Sequence, residues 1–321
     1  MTDLSKQADT LGYSAKVPEI KGKQLLHNQR IGLVQLKNSN FDIDFLYWLM
    51  RTETYQKYVA GSATGATVKH TSPTKICSYK FKAPIKKDTQ RRIASILSAY
   101  DDLIEKNLKR IKLLEELAQR TYEEWFVKFR VNGKQLEVNE ETGLPEGWEK
   151  VKLNDVYSIK YGKNLSQTEI NIKGQYPVYG ASGILGFYMK FNYSNKVVLV
   201  TSRGNGSGNI HRTHERAFVT NNSFAIIPNE GFEHLKLCFT FEFFKKLNLK
   251  SYCSGSAQPQ LTNASMNNID VLLPNINYIL KFNDFGDNLI DLSDKLRNQN
   301  RLLKESRDIL LSRLMSGRIE V

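Results

Sequence analysis

The chain has 321 residues, a formal net charge of +13 and a sequence pI near 9.4. This length accommodates two domains, and the excess of Lys and Arg favours nucleic acid as a partner over an anionic membrane surface. Three cysteines without a CxxC pair indicate neither a disulfide framework nor a thiolate zinc site. Because the N-terminal residues lack the apolar core of a signal peptide and no run of 18 apolar residues occurs, we expect a cytoplasmic protein without a membrane span.

An internal repeat organises the chain. In each copy, a Gly-Ser-Ala triplet precedes an apolar segment that ends in proline, and a long segment with Leu-Leu-x-Glu follows the proline. The landmarks are Gly-Ser-Ala at 61–63 and 255–257, the prolines Pro84 and Pro274, and Leu-Leu-x-Glu at 113–116 and 302–305. Three landmarks in one order, about 190 residues apart, predict the succession globular unit, long helix, globular unit, long helix.

The first copy comprises a globular unit over residues 1–85 and a long helix over 86–130. A candidate helix over 42–60 lies within the globular unit. The long helix has Asp88 or Thr89 as a plausible N-cap and would span roughly 60 Å. Its predicted core positions alternate in steps of four and three: Ile93, Leu97, Tyr100, Ile104, Asn107, Ile111, Leu114, Ala118, Thr121 and Trp125.

The second copy begins after a polar linker over 131–145. Residues 146–274 show short alternating strands and one helix around 232–248, which is typical of an α+β domain. A second long helix over 275–317 is followed by a tail over 318–321. The core positions predicted for this helix are Phe282, Phe285, Leu289, Leu292, Leu296, Leu303 and Leu310.

Two matched long helices separated by a domain predict an antiparallel coiled coil. Asn107, Gln299 and Ser306 occupy core positions, where polar side chains fix register at some cost in stability. The alternative for Asn107 is that it faces a gap or solvent. The fold class predicted is α+β, with two mixed globular units, the first shortened at its N-terminal side, separated by the two helices.

The two copies differ in length. The stretch that ends at Pro84 is much shorter than the stretch from Pro145 to Pro274, and it lacks a counterpart of YPVYGASGILGFY at 176–188. Whatever that element contributes is therefore expected in the second unit alone.

Several segments of the second copy carry a family resemblance. They are TGLPEGWEKVKL at 142–153, YPVYGASGI at 176–184, SRGNGSG at 202–208, VTNNSFAIIP at 219–228 and GSAQPQL at 255–261. With the two heptad helices, they make the chain resemble the specificity subunit of type I restriction–modification systems. The order and duplication of these segments carry the resemblance, which covers nearly the whole chain.

The resemblance implies two target-recognition domains, each reading one half of a split double-stranded DNA target, with the helices as the spacer. It implies a non-catalytic subunit that directs methyltransferase and restriction subunits, in a complex with DNA adenine methyltransferase and type I site-specific deoxyribonuclease activities. S-adenosylmethionine, ATP and magnesium are then expected on the partner subunits only. The shortened first unit departs from the family pattern, so the first half-site is expected to be degenerate or unread by this chain alone. Whether the chain pairs with another specificity chain is left open by the sequence.

Two other functions compete with this interpretation. One is an assembly subunit that binds methyltransferase through the coiled coil and has little or only half-site DNA specificity. The weaker one is a stand-alone DNA-acting enzyme, for which we find no nucleophile–base pattern.

The stretch KVVLVTSRGNGSGNIHR at 196–212 ends a strand in a Gly-rich basic loop. A cofactor cradle would need a helix after the glycines, and the following residues are β-rich. A plain hairpin turn and a loop that approaches a DNA groove are the other readings, and we favour DNA because Arg matches guanine and Asn matches adenine. The candidate DNA-binding residues are Tyr179, Ser182, Lys190, Arg203, Asn205, Ser207, Asn209, His211, Arg212, Gln258 and Gln260.

Two further patterns have simpler explanations. The motif His211-x-x-His214-Glu215 lacks further ligands nearby in the sequence, so no metal site is expected. Tyr122, Trp125 and Phe126 exceed what one helix seam needs, and they either pack against the second globular unit or form a docking site for the methyltransferase.

Overall fold

The computed structural model describes residues 2–3, 10–18, 20–28, 31–65, 69–171, 173–255 and 258–321. The chain divides into two compact units, of which the first comprises Met1–Arg110 and Leu296–Val321 and the second comprises Ile111–Lys295. Within the described residues, no helix combines the length and the apolar character that crossing a membrane requires.

The helices of the first copy are α1 (Ile43–Leu49), α2 (Glu53–Gly61), α3 (Pro73–Cys77) and α4 (Lys87–Tyr122), and α4 continues as a π-helical turn over Glu123–Val127. The helix predicted over 42–60 is therefore two helices. The second one begins after Thr52, whose side chain accepts a hydrogen bond from the Tyr55 N–H at 3.3 Å. Because an N-cap has non-helical backbone, the chain changes direction there.

The other described residues of the first globular region have little regular structure. Strands β1 (Thr2–Asp3) and β2 (Lys69–His70) pair antiparallel, and the described residues from 10 to 42 contain no helix or strand. The core lies instead between α1 and the long helices, where Phe45 and Trp48 pack with Leu97 and Leu311.

The long helix α4 buries the predicted face. All ten predicted core positions are buried or half-buried. In the first unit α4 packs against the last turns of α8 (Ile276–Met315), with Asp101 paired to Arg307 and Asn107 to Asn300, so the two segments run in opposite directions. Asn107 is buried and hydrogen-bonded, so it does not face a gap.

The buried face of α8 is shifted by one residue from the predicted core positions over part of the helix. Leu292 is 46% exposed and Ser306 is exposed, whereas Ser293 and Asn300 are buried. The predicted face followed the larger apolar side chains, but polar residues occupy the side that meets α4. Gln299 is exposed, although its Oε1 accepts a hydrogen bond from Asn107 Nδ2 at 3.1 Å.

The second unit contains the larger sheets. Its helices are α5 (Leu153–Val156), α6 (Leu237–Lys246) and α7 (Asn263–Asn267), which precede α8, and its strands are β3 (Arg130–Val131), β4 (Lys134–Gln135), β5 (Glu149–Lys152), β6 (Tyr157–Tyr161), β7 (Tyr176–Gly180), β8 (Gly183–Tyr188), β9 (Val198–Thr201), β10 (Ile210–Arg212), β11 (Phe218–Val219), β12 (Ser223–Pro228) and β13 (Asp270–Leu273). One antiparallel sheet has the order β10-β9-β12-β6, and a second sheet has the order β11-β7-β8 with β11 parallel to β7. Strand β13 pairs with β5, and β3 pairs with β4. This mixture of strands and helices agrees with the α+β prediction.

The internal repeat is visible in the local structure. Ser72 caps α3 in the first copy and Thr262 caps α7 in the second, each accepting a hydrogen bond from a backbone N–H. Pro84 and Pro274 then precede the long helices α4 and α8. The second Gly-Ser-Ala landmark lies partly outside the described residues, at Ser256 and Ala257.

Candidate nucleic-acid interface

The Gly-rich segment 202–209 is the loop between β9 and β10. The Thr201 N–H donates to the Asn209 carbonyl oxygen at 2.9 Å, which closes the loop into a hairpin. Gly204 and Gly208 have φ values of +84° and +81°, a region that favours glycine. Because the glycines lead into strand β10 and not into a helix, the loop lacks the helix N-terminus that a phosphate cradle uses.

This loop is attached to the segment that contains the two candidate glutamines. The Gly204 N–H donates to the Pro259 carbonyl oxygen at 3.0 Å, and the Ser207 hydroxyl donates to the same oxygen at 2.6 Å. The Leu261 N–H donates to the Ser202 carbonyl oxygen at 2.9 Å. The structure therefore brings Arg203 and Asn205 close to Gln258 and Gln260, which lie more than fifty residues away in the sequence.

Hydrogen bonds connect three more segments to the same place. The Thr201 hydroxyl donates to the Ala181 carbonyl oxygen at 2.9 Å, the Ser202 N–H donates to the Asn222 oxygen at 2.9 Å, and the Asn221 N–H donates to the Lys163 oxygen at 3.2 Å. Five segments thus converge, and we call them together the loop end. They are residues 162–165, 180–183, 202–209, 220–222 and 249–260, of which 256 and 257 lie outside the described residues.

The loop end is basic and has no acidic residue in its sequence. It contains Lys163, Arg203 and Lys250 and no Asp or Glu. All three cationic residues are exposed, and none of the ion pairs among the described residues involves them. Such a surface attracts phosphate groups, since no carboxylate of its own neutralises the positive charge.

Amide and hydroxyl side chains accompany these cations. Ser182, Asn205 and Gln258 are exposed, and Asn209 and Gln260 are half-buried. Side-chain amides present a donor and an acceptor together, which is the pattern that base edges in the major groove require. The loop end therefore carries groups for phosphate contacts and groups for base contacts.

Three candidates have partners inside the protein instead. Tyr179 is buried, and its hydroxyl contacts His214, while Ser207 is buried against Pro259. The side chain of Arg212 is 11% exposed. We therefore leave Tyr179, Ser207 and Arg212 out of the proposed interface, because buried groups that already have partners are not available to a ligand.

Arg212 belongs to an ion-pair network on the side of the unit that faces α8. Its guanidinium lies 3.0 Å from an Asp294 carboxylate oxygen, and Lys196 Nζ lies 2.9 Å from the other oxygen of Asp294 and 3.0 Å from Asp291. The Phe241 ring also lies beneath the Arg212 guanidinium, 5.5 Å away. Burial acts to raise the pKa of Asp294, but the two cations outweigh burial and hold this pKa below its ordinary value.

Two further candidates are less suited to binding DNA phosphates: Lys190 lies away from the loop end, and burial disfavours a charge on His211. Lys190 follows β8, whereas Ser182 lies in the turn before β8, so the length of the strand, about 20 Å, separates them. His211 is half-buried on β10, and burial lowers the pKa of its imidazole, which favours the neutral form. Its Nε2 atom is buried and has no hydrogen-bond partner among the described residues.

The aromatic group at the end of the first long helix lies in the core of the second unit. Tyr122 and Phe126 are buried, and the Phe126 ring lies 5.3 Å from that of Phe282 and 6.0 Å from that of Trp148. Trp125 is half-buried at the edge of the same cluster. These contacts support the packing interpretation of the three side chains, and only Trp125 keeps an appreciable surface.

Sequence reasoning did not select Lys163 or Lys250 as site residues. Neither lies in a Gly-rich or aromatic motif, and each reaches the loop end through backbone contacts with a distant segment. A Cβ atom at Gly208 would lie 3.0 Å from the Lys250 nitrogen, so the absence of a side chain at Gly208 permits this approach. The only signal in the sequence was the lack of acidic residues around each lysine.

Comparison with known proteins identifies the family of the chain. The family model described as the type I restriction modification DNA specificity domain matches residues 13–116 and 145–299. The chain is 24% identical over 302 residues to the type I restriction enzyme MjaIX specificity subunit of Methanocaldococcus jannaschii, covering 87% of this chain and 69% of that protein. It is also 24% identical over 317 residues to the MjaVIII specificity subunit of the same organism, covering 90% and 73%.

A solved structure shares the fold. The crystal structure of the type I restriction–modification system S subunit from M. genitalium aligns with a TM-score of 0.59 at 21% identity, covering 86% of this chain and 73% of that one. The family model alone matches most of the chain, in two separate segments that follow the internal repeat. The chain therefore belongs to the type I restriction–modification specificity subunit family.

Proposed function

We propose that this chain is a DNA sequence-recognition subunit of a type I restriction–modification complex, and that the loop end of the second unit reads one half of a split target. The observation that carries the proposal is the convergence of five segments without a single acidic residue, which places three exposed cations beside several side-chain amides. Family membership supports the same function.

The cations and the side-chain amides have different roles in DNA binding. Lys163, Arg203 and Lys250 neutralise phosphates and release counterions, which supplies affinity that is largely independent of sequence. Asn205, Gln258 and the partly exposed amides around them discriminate between bases through paired hydrogen bonds. Arg203 lies beside both kinds of group and can serve either purpose.

In this proposal the long helices serve as the spacer between the predicted recognition domains over residues 1–85 and 146–274. We infer that α4 and α8 form an antiparallel coiled coil, which agrees with the continuous buried face of α4 and with the opposed pairing of its first half with α8. The buried layer of Asn107 and Asn300 sets their register, since sliding the helices would leave both amides without partners.

The chemistry of methylation and cleavage belongs to partner subunits in this proposal. The chain itself contributes recognition and docking, and S-adenosylmethionine, ATP and magnesium bind elsewhere in the complex. The predicted domain limits, with recognition units over 1–85 and 146–274, stay predictions.

Methylation mapping tests the proposed function. The chain would be co-expressed with its cognate methyltransferase subunit, and single-molecule sequencing would identify the methylated motif. We expect one well-defined half-site, and we expect Arg203→Ala with Asn205→Ala to abolish or alter it while the methyltransferase still co-purifies. Lys150→Ala is the matched control, because Lys150 is an exposed lysine of the second unit outside the loop end.

Two outcomes would contradict the proposal. A complex that forms but methylates no defined motif would favour the assembly-subunit alternative. Two well-defined half-sites that the loop variant leaves unchanged would show that another surface reads the DNA.

A further inference from the structure

The first unit contains an open cavity of about 800 Å³. Its walls include Leu49 of α1, Tyr79 and Phe81 from the segment before Pro84, and Leu311 and Met315 of α8. Phe81 is 37% exposed, and no described residue pairs as a strand with residues 80–83. The cavity, whose lining combines apolar and charged side chains, thus lies beside a segment that pairs with no described strand, and such a surface can receive a partner.

The internal repeat identifies the counterparts of these walls in the second unit. Tyr79 and Phe81 stand at the same distances before Pro84 as Ile269 and Val271 stand before Pro274. Leu311 and Met315 follow the second Leu-Leu-x-Glu motif at the distances at which Tyr122 and Phe126 follow the first. Leu49 lies ahead of its Gly-Ser-Ala triplet as Phe243 lies ahead of the second one.

In the second unit, one continuous segment covers these counterparts. Val151 of β5 pairs with Val271 of β13, and the Leu153 N–H donates to the Ile269 carbonyl oxygen at 2.9 Å. The same segment carries an aromatic residue at each end of this contact. Trp148 lies 6.0 Å from the Phe126 ring.

The C-terminal end of the segment contacts the remaining counterpart, Phe243. Tyr157 is buried with its ring 5.8 Å from that of Phe243. Strand β5, helix α5 and the start of β6 therefore fill, in the second unit, the space that is open in the first. The walls of the cavity in the first unit correspond to the residues that this segment contacts.

We propose that the cavity of the first unit is a docking site for a strand-and-turn segment of a second polypeptide, with the chemistry of Leu144–Tyr157. That chemistry is a tryptophan, then a short strand that adds to residues 80–83, then a turn with apolar side chains that enter the cavity. This proposal does not depend on DNA binding by the loop end.

Charge supports a partner that is not basic. The cavity lining contains the cations Arg51, Lys57, Lys82, Arg307 and Arg318 and the carboxylates Glu53 and Asp308. The segment Leu144–Tyr157 contains Glu146, Glu149 and Asp155 against Lys150 and Lys152. A positively charged lining therefore faces a segment with a small negative charge, which favours association.

A peptide-binding experiment on the full chain tests the proposal. The probe is a fluorescein-labelled synthetic peptide with the sequence of Leu144–Ile159, titrated by fluorescence anisotropy. We expect saturable one-to-one binding at micromolar concentrations. Replacing the tryptophan of the peptide by alanine should weaken binding about 30-fold, as is usual for a central aromatic anchor.

Variants of the chain locate the binding site. Phe81→Asp should weaken binding at least about tenfold, because it places a charge against the peptide strand. Ile85→Asp is the matched control, since Ile85 is 98% exposed and outside the cavity lining, and it should leave affinity unchanged. If Phe81→Asp does not fold, the alanine peptide still decides whether the anchor is specific.

Three results would overturn the proposal. These are the absence of saturable binding, equal affinity for the tryptophan and alanine peptides, and equal affinity of Phe81→Asp and the unmodified chain. A stable dimer in sedimentation velocity that excludes the peptide would assign the cavity to a second copy of the chain instead.

Discussion

Removing the three cations of the loop end should reduce the salt dependence of DNA binding by a predictable amount. The variant is Lys163→Ala with Arg203→Ala and Lys250→Ala. Each phosphate contact contributes about 0.9 to the slope of log affinity against log salt concentration on duplex DNA. If each cation makes one such contact, the slope becomes shallower by about 2.7.

This change in slope is large enough to measure. Between about 50 and 200 mM salt, a slope difference of 2.7 means that the affinity of the unmodified chain falls about 40-fold more than that of the variant. The assay is fluorescence anisotropy on a labelled duplex at several salt concentrations. Because the three side chains are exposed and unpaired among the described residues, the unfolding free energy should change by less than about 1 kcal/mol.

The control removes the same number of charges from elsewhere in the second unit. Lys150, Lys173 and Lys236 are exposed lysines outside the loop end, and their triple alanine variant should retain nearly the full slope. Equal slopes for the loop-end variant and the unmodified chain would refute the assignment of this surface to DNA. Equal losses in both triple variants would show that net charge, and not the loop end, determines binding.

Three further predictions concern the interior. Arg212→Ala removes one cationic partner of the half-buried Asp294 carboxylate and should lower the unfolding free energy in urea by about 1–3 kcal/mol. Adding Asp294→Ala should then cost little, and strictly additive losses would mean that the pair is not coupled. The folded pKa of Asp294 lies below its ordinary 3.8. The stabilisation from its ionised carboxylate is therefore present above that pH and is lost as pH falls through the folded value. Asp294→Asn should flatten the acid limb of a curve of stability against pH, and an unchanged acid limb would contradict this. Asn107→Leu removes the donor to the buried Asn300 Oδ1 and should cost about 1–3 kcal/mol, whereas the double leucine variant should recover that loss in thermal unfolding. A single variant as stable as the parent would show that the amides do not depend on each other.

The two long helices show what a heptad pattern can predict. In α4 the large apolar residues and the buried face coincide, so Ile93, Leu97 and Ile104 were predicted correctly. In α8 the pattern was ambiguous, because apolar residues also occur on the outside and the core accepts Ser293 and Asn300. Burial of an amide depends on a partner on the other helix, which the sequence of one helix does not specify.

The candidate site was likewise predicted only in part from the sequence. The Gly-rich loop was correctly predicted not to lead into a helix, and Arg203 is exposed on it. Arg212 lies nine residues later, on strand β10, and pairs with Asp294 of α8. No local pattern distinguishes the two arginines, because the difference arises from a carboxylate about eighty residues away.

The distribution of acidic residues within the second unit explains why the two arginines have different roles. On the side that faces α8, the carboxylates Asp291 and Asp294 neutralise Lys196 and Arg212, whereas the loop end has cations and no carboxylates. Within the second unit, the three cations of the loop end therefore have no carboxylate in the same five segments to neutralise them. It follows that Arg212 affects DNA binding only by stabilising the unit, so its substitution should change affinity in proportion to the unfolded fraction. Substitution of Arg203 should change affinity while the unfolding free energy stays constant, and a loss of both quantities together at Arg203 would contradict this division.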